Sequence, residues 1–388
     1  MESSSGFCLD ARKGIQNMRV LHIVSNISLR SGIMSFIMNY GRHLAEDVKF
    51  EFLYYEDREY DHKAEIVALG GAAYKSPSPT SFRSFQAYLN EFCKQHQSEY
   101  DIIHLHDPFL VLFYAPLKKK LLSKSFVVHA HSTRFADSMV GGVRNRIFSI
   151  PNLWVPDYLF ACSKLAGKKI FGRRFTEEGV VINNAILVNR FRNTPTAREK
   201  ARNELGVGNK FVIGHIGNFT LPKNHQFIID VFFQITRMRS DAVLILVGDG
   251  ELRTQIEAKC TELGIEQKIH FLGVRYDVNE VMCAFDRFIF PSLYEGLGIA
   301  LIEAQAAGIP SIYSSAVPTE TNILKKNNRI LDLNQSADEW ANAVMDDKLS
   351  VTFGVEQEIE NAGFDINIEA CRLKELYQSM RVKNNEKI

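Results

Sequence analysis

The sequence predicts an α/β protein made of two doubly wound parallel sheets in tandem, and three observations carry that reading. Short β-branched or apolar runs alternate with segments of helical period along almost the whole chain. The alternation pauses once, at Ile186–Pro195, and then restarts. At 388 residues, with 46 % apolar and 23 % charged residues, the chain is long enough for two domains of ordinary globular composition.

The elements follow in order. Residues 1–17 are polar and lack an apolar core of signal-peptide length. They are read as outside the fold, either as a disordered extension or because translation starts at Met18. Strands are predicted at Arg19–Val24, Lys49–Tyr54, Asp101–Leu105, Ser125–Val128, Tyr158–Ala161 and Val180–Ile182. After the first strand, Ile33, Phe36, Ile37, Tyr40 and Leu44 form one face of a helix. This first domain spans 18–186, and 187–209 is read as a linker with the first helix of the second lobe. The second domain, 210–366, has predicted strands at Phe211–Ile216, Val243–Val247, Lys268–Leu272, Arg287–Pro291 and Pro310–Tyr313. Its helices are predicted at Phe227–Met238, Leu252–Leu263, Ile299–Ala307 and Ala337–Met345. A last helix near Asn367–Met380 and a polar tail make up 367–388. Two Rossmann-like units of this kind bind ligands at the carboxyl ends of their strands, and two facing units make a cleft.

The clearest chemical signature runs from Pro291 to Pro310. Gly296 and Gly298 let backbone approach a ligand, and the helix start at Leu297–Ile299 offers outward amides for an anion. Glu295 and Glu303 flank it. Two carboxylates beside an anion site make sense as acceptors for hydroxyls, so a ligand with both diols and a diphosphate fits. The bland alternative, a loop charge and a helix-start charge, has comparable weight for these residues taken alone. A second cluster, Gly214–His225, contains Asn218 and Lys223; the lysine suits a phosphate as a point charge. A third, Ser31–Gly32, opens the first helix.

Other classes are disfavoured. The net charge of +1 gives no field for nucleic acid, and no apolar run reaches bilayer length. The six cysteines include no C-x-x-C pair. Neither G-x-G-x-x-G nor a Walker loop occurs. His104/His106 with Asp107 and His129/His131 lie two apart on strands, so a metal is conceivable, but no ligand set completes it. The more economical reading has His131 projecting into the cleft. No D-x-D triplet is present to hold a divalent ion on a diphosphate.

These residues resemble the retaining glycosyltransferases of family 4, with the two-lobed GT-B fold, and within it bacterial capsular and exopolysaccharide transferases. The resemblance runs from about Arg19 to the last helix. Its most specific piece, E-G-x-G-x-x-x-x-E-A-x-A-x-G-x-P, is matched in full by Glu295, Gly296, Gly298, Glu303, Ala304, Ala306, Gly308 and Pro310. Ser31-Gly32, Asp101–His104, His129–His131, Cys162-Ser163, Asn183–Ile186 and Phe271–Gly273 support it.

The resemblance implies a hexosyltransferase with a nucleotide-diphosphate sugar donor, UDP favoured, and a saccharide or lipid-linked acceptor in surface polysaccharide biosynthesis. Gly32 and Leu297–Ile299 would hold the diphosphate, and Lys223 would neutralise it. The Val274 backbone would read the base, Glu303 the ribose diol, and Glu295 the sugar hydroxyls, with His131 near the sugar's 6-position. Configuration would be retained by a front-face route without an enzymatic nucleophile, so Glu295 and Glu303 are not a glycosidase pair. No cofactor or metal is expected, and the last helix is expected to pack back on the first domain. The implied location is cytoplasmic with possible peripheral contact at the inner membrane, and two basic-apolar segments, Pro116–Lys124 and Lys164–Arg174, are its candidates. Asn218 stands where the family usually has an arginine, with Arg275 as a candidate substitute. Leu187 and Ser31 also depart from the pattern. The alternatives are a nucleotide-sugar 2-epimerase of the same fold, for which only Asp107 and Asp137 stand as first-lobe carboxylates, and a non-catalytic partner of a transferase.

Overall fold

A computed structural model describes residues 18–29, 31–135 and 139–383. The N-terminal 1–17 segment, Asp137 and the end of the polar tail lie outside the described residues. The chain divides into two units. One takes in the described residues up to Ala185 and resumes at Ile366; the other is Ile186–Asp365.

The first unit is a seven-stranded sheet. In chain order its strands are β1 (Met18–Ile23), β2 (Val48–Tyr54), β3 (Ala73–Lys75), β4 (Ile102–Leu105), β5 (Ser125–Ala130), β6 (Tyr158–Ala161) and β7 (Val180–Val181). They lie in the order β3-β2-β1-β4-β5-β6-β7, and every pair is parallel. β4 and β5 are buried along their length, as strands covered on both faces must be. The first helix, Gly32–Leu44, buries Met34, Phe36, Ile37, Tyr40 and Leu44 against the sheet.

The closing helix, Ile366–Lys383, belongs to this unit. Ala370, Leu373, Tyr377 and Met380 join its core. Lys374 Nζ donates to Asp47 Oδ2 at 2.7 Å, and Arg381 pairs with Asp101 at 3.1 Å. Asp101 and His104 of the family-like D-x-x-H therefore serve largely to dock this helix, since His104 also meets the Tyr377 hydroxyl.

The second unit is six-stranded: β8 (Phe211–Ile216), β9 (Ala242–Val247), β10 (Ile269–Gly273), β11 (Arg287–Phe290), β12 (Ser311–Ser314) and β13 (Asn328–Leu331). The order is β10-β9-β8-β11-β12-β13. Its core gathers Ile213, Phe232, Leu244, Ile289 and Trp340.

Two strands are additional to the sequence expectation, β3 and β13. Both are edge strands of only three and four residues, too short to give a periodic signal. The stretch read as a linker is ordered. Val188 and Phe191 are buried in a short 3₁₀ turn, and Pro195 is the first residue of the helix Pro195–Glu204, capped by the Thr194 hydroxyl.

Each sheet reverses its strand order once, between β1 and β4 and between β8 and β11. Ligands of such sheets bind beyond the strand ends at that reversal. The sequence motifs fall there in both units.

Candidate functional site

In the second unit, β8 ends at Ile216 and its neighbour β11 at Phe290. The two loops that follow are stitched together. Leu293 N donates to Pro222 O at 2.8 Å, and Asn224 Nδ2 donates to Pro291 O at 3.2 Å. Lys223 ends a 3₁₀ turn between them. Its stem runs beside Gly217, where a Cβ would sit 3.2 Å from Lys223 Cγ and Cδ. Its ammonium lies 4.7 Å from the Phe290 ring centroid and donates to Glu295 Oε1 at 2.6 Å. Both side chains are mostly buried, at 21 % and 12 % exposure. The two residues expected to serve phosphate and sugar separately thus neutralise each other here.

Glu295 leads into Gly298, whose φ of +91° suits glycine. The helix Ile299–Ala306 begins there with no side-chain cap and no acid in its first turn. Leu301 N bonds Gly298 O, and the amides before it have no side-chain cap, as suits an anion at a helix start. Leu297 is buried, so it can offer only backbone.

Glu303 lies one turn further along. Burial pushes its carboxyl up to about 7, against the pull of Arg190 and then Lys223. No protein group among the described residues hydrogen-bonds to it.

Asn218 is exposed. Val274 is 47 % exposed. It follows Gly273, which has φ +67°, and borders a surface pocket of about 400 Å³ with Arg190, Tyr276 and Asn279. Arg275 is paired with Asp277, which weakens it as a substitute cation. Arg190, which sequence reasoning passed over, is the better one. It is held by Tyr276 O at 2.9 Å and Asn279 Oδ1 at 3.3 Å. Its position in an aperiodic stretch gave no signal.

The first unit carries a separate pocket of about 160 Å³ beyond β1 and β4, bordered by Asn26, Ser31, His106, Asp107, His131 and Arg134. Ser31 caps the first helix through the Met34 amide. A Cβ at the adjacent Gly32 would meet nothing within 4 Å, so this glycine is not demanded by packing. Asp107 accepts from Phe109 N at 3.1 Å, and burial raises its carboxyl.

Behind this pocket lie five histidines. His22 and His104 are register partners on β1 and β4. His106, His129 and His131 continue the same face, and His131 is pushed down to about 3 by burial. Ring nitrogens of His22, His104 and His106, and of His106, His129 and His131, converge closely enough to hold a metal ion. They are also paired with one another by hydrogen bonds. The sequence pattern separated two pairs; the register joins them and adds His22.

The chain is similar to known glycosyltransferases. Residues 197–347 match the family model described as Glycosyl transferases group 1. EpsF of Bacillus subtilis, named as a glycosyltransferase, is 28 % identical over 338 residues, covering 84 % of this chain and 86 % of its own. The UDP-Gal:alpha-D-GlcNAc-diphosphoundecaprenol alpha-1,3-galactosyltransferase of Escherichia coli is 27 % identical over 316 residues, covering 70 % and 79 %. Among solved structures, Anabaena HepE in complex with UDP and glucose superposes with a TM-score of 0.78 at 20 % identity, over 94 % of this chain and 100 % of that one.

Proposed function

We propose, from the premise that this chain is a GT-B glycosyltransferase, that it moves a hexose with retention from a UDP-sugar to a lipid-linked saccharide in surface polysaccharide assembly. The carrying observation is the Lys223–Glu295 pair beside the uncapped Ile299–Ala306 helix and the unpartnered Glu303 carboxyl. Diphosphate on the helix amides would draw Lys223 away from Glu295 and free that carboxylate for a sugar hydroxyl. Glu303 would take the ribose diol, and Arg190 would supply the second cation that Asn218 lacks. His131 and Gly32, in the first unit, are assigned to the sugar and diphosphate by the family pattern alone.

The UDP donor and the diphospholipid acceptor are supported by the HepE complex and by the E. coli galactosyltransferase's name. The 2-epimerase alternative is not favoured, because relatives matched over most of the chain are named as transferases. We assign charge neutralisation to protein cations and expect no metal requirement; activity unchanged by EDTA is the check. Thermal shift against a sugar-nucleotide panel, followed by transfer with the stabilising donor, tests the whole reading. No stabilisation by any UDP-sugar refutes the donor class, inverted product stereochemistry refutes retention, and binding without turnover points to the non-catalytic partner.

No helix among the described residues is long and apolar enough to cross a membrane. Peripheral contact is part of the proposal, but on a different surface from the one the sequence suggested. Leu117, Leu121, Ile170 and Phe171 are buried, and Lys118, Arg173 and Arg174 are paired with acids. The two basic segments therefore turn most of their apolar residues inward and leave one leucine each, Leu122 and Leu165, exposed. The helix Met139–Ser149 and the turn after it instead expose Val140, Val143, Ile147, Phe148, Ile150, Leu153 and Trp154. Arg144 and Arg146 lie among them, with no acid between Met139 and Pro156. An apolar face with arginines and an exposed tryptophan suits an anionic lipid surface. Ile147→Glu should abolish flotation with phosphatidylglycerol vesicles; undiminished flotation rejects this surface.

A further inference from the structure

The five histidines form two hydrogen-bonded files, and only one of them reaches the pocket. His104 joins the Tyr377 hydroxyl at 2.7 Å to His129 at 3.2 Å. The other file is His22 Nδ1 to His106 Nε2 at 2.9 Å, then His106 Nδ1 to His131 Nε2 at 2.8 Å. Burial lowers the pKa of every member, so all are neutral at pH 7. A neutral imidazole has one donor and one acceptor nitrogen. Fixing the proton on one ring of the file therefore fixes it on all three.

Two orders are available. In one, N–H groups point outward: His22 Nδ1–H to His106, His106 Nδ1–H to His131, and His131 Nδ1–H to the pocket. In the other, they point inward and end at His22 Nε2. That atom is buried with no partner. Its ring packs against Phe50 and Phe52, which offer no oxygen or nitrogen, and beside His104, whose two nitrogens are already committed to Tyr377 and His129. A buried N–H without an acceptor is the costlier orphan and the rarer one in proteins, whereas a bare ring lone pair is more easily tolerated. The outward order wins.

We propose that His106, backed by His22, is a positioning residue that holds His131 as its Nδ1–H tautomer. His131 then presents a fixed neutral donor, not a base, to the pocket. The group it receives is an oxygen acceptor: a hydroxyl or phosphate oxygen of the bound saccharide. That last assignment rests on the proposed transferase reading, but the tautomer does not. The hydrogen bonds within the file also account for the cluster without an ion at its centre, where ligand lone pairs would all converge.

The test is ¹⁵N–¹H correlation through two-bond couplings on histidine-labelled, unliganded protein at pH 7.5. The expected result is Nδ1–H on His22, His106 and His131. Isolated neutral histidine favours Nε2–H, so this pattern would not arise by default. His106→Leu removes the donor to His131 Nε2 and leaves that nitrogen facing an apolar side chain, so His131 should stay Nδ1–H but lose its fixed ring position, raising KM for the donor sugar about two- to tenfold, the worth of one hydrogen bond. Nε2–H on His131 in the unaltered protein overturns the proposal, as does one equivalent of tightly bound zinc. The unaltered protein answers both questions even if the variant does not fold, and neither answer depends on activity.

Discussion

Glu303 gives the sharpest prediction. Its carboxyl is raised from 4.5 to about 7 by burial. A ribose diol needs two acceptor oxygens, and only the ionised carboxylate has both free, because the protonated form spends one as a donor. If binding requires ionised Glu303, the apparent Kd scales as 1 + 10^(7 − pH). It should fall about tenfold from pH 6 to pH 8 and flatten above that. The donor's diphosphate is fully ionised across this range, so it adds no slope. Nearby histidines do not interfere, since burial keeps His215 and His225 neutral throughout. Unliganded stability moves the opposite way. A carboxyl with a raised folded pKa contributes stability that is full below about 4.5 and is lost as pH rises through 7, amounting to about 3 kcal/mol. Isothermal titration with UDP-glucose, which has no terminal phosphate to titrate, at pH 6, 7 and 8 measures the first effect, and urea melts of the wild type against Glu303→Gln measure the second. A flat Kd in the wild type, or a slope retained in Glu303→Gln, refutes the reasoning.

Three further predictions follow from the same geometry. Lys223→Ala should lower kcat/KM about 10²- to 10³-fold; steady-state kinetics with the best donor decide it, and a near-wild-type rate removes Lys223 from the site. Arg190→Ala removes the first charge holding Glu303 down, so the midpoint of the Kd–pH curve should move above 7, which the same titrations measure; an unmoved midpoint would show that Arg190 does not act on Glu303. Gly308→Ala should lower the melting temperature by about 6 °C or more, because a Cβ there would sit 1.6 Å from Thr352 O at a φ of +67°; calorimetry tests it, and an unchanged Tm rejects the close approach.

How much was legible depended on whether a feature belongs to one segment or to a pairing between segments. β8 and β11 were found because strands buried on both faces read as unbroken apolar runs. Gly298 and Glu303 were found because a strand-to-helix turn at a strand end places its residues locally. The Lys223–Glu295 bond joins residues 72 apart, and only the parallel neighbouring of β8 and β11 brings them together. His22 stands alone in its strand and acquires its partners only from the β1–β4 register. The basic-apolar segments show the same point: Ile170 and Phe171 have a helical period and are buried, and periodicity shows that a face is apolar but not whether the core or the solvent receives it.

Arg190 carries the same point into the chemistry. The sequence shows a deficit at Asn218, one cation short of the family pattern, and counts it against donor binding. The ordered turn Val188–Phe191 supplies a guanidinium that Tyr276 and Asn279 hold in place and that acts on Glu303. A charge on an anchored turn suffers less loss of side-chain freedom on binding than one at the exposed Asn218 position. Its charge acts on the Glu303 carboxyl and lowers it. If Arg190 offsets the deficit at Asn218, the same cation keeps Glu303 ionised over more of the neutral range, so donor affinity should depend less on pH with it than without it.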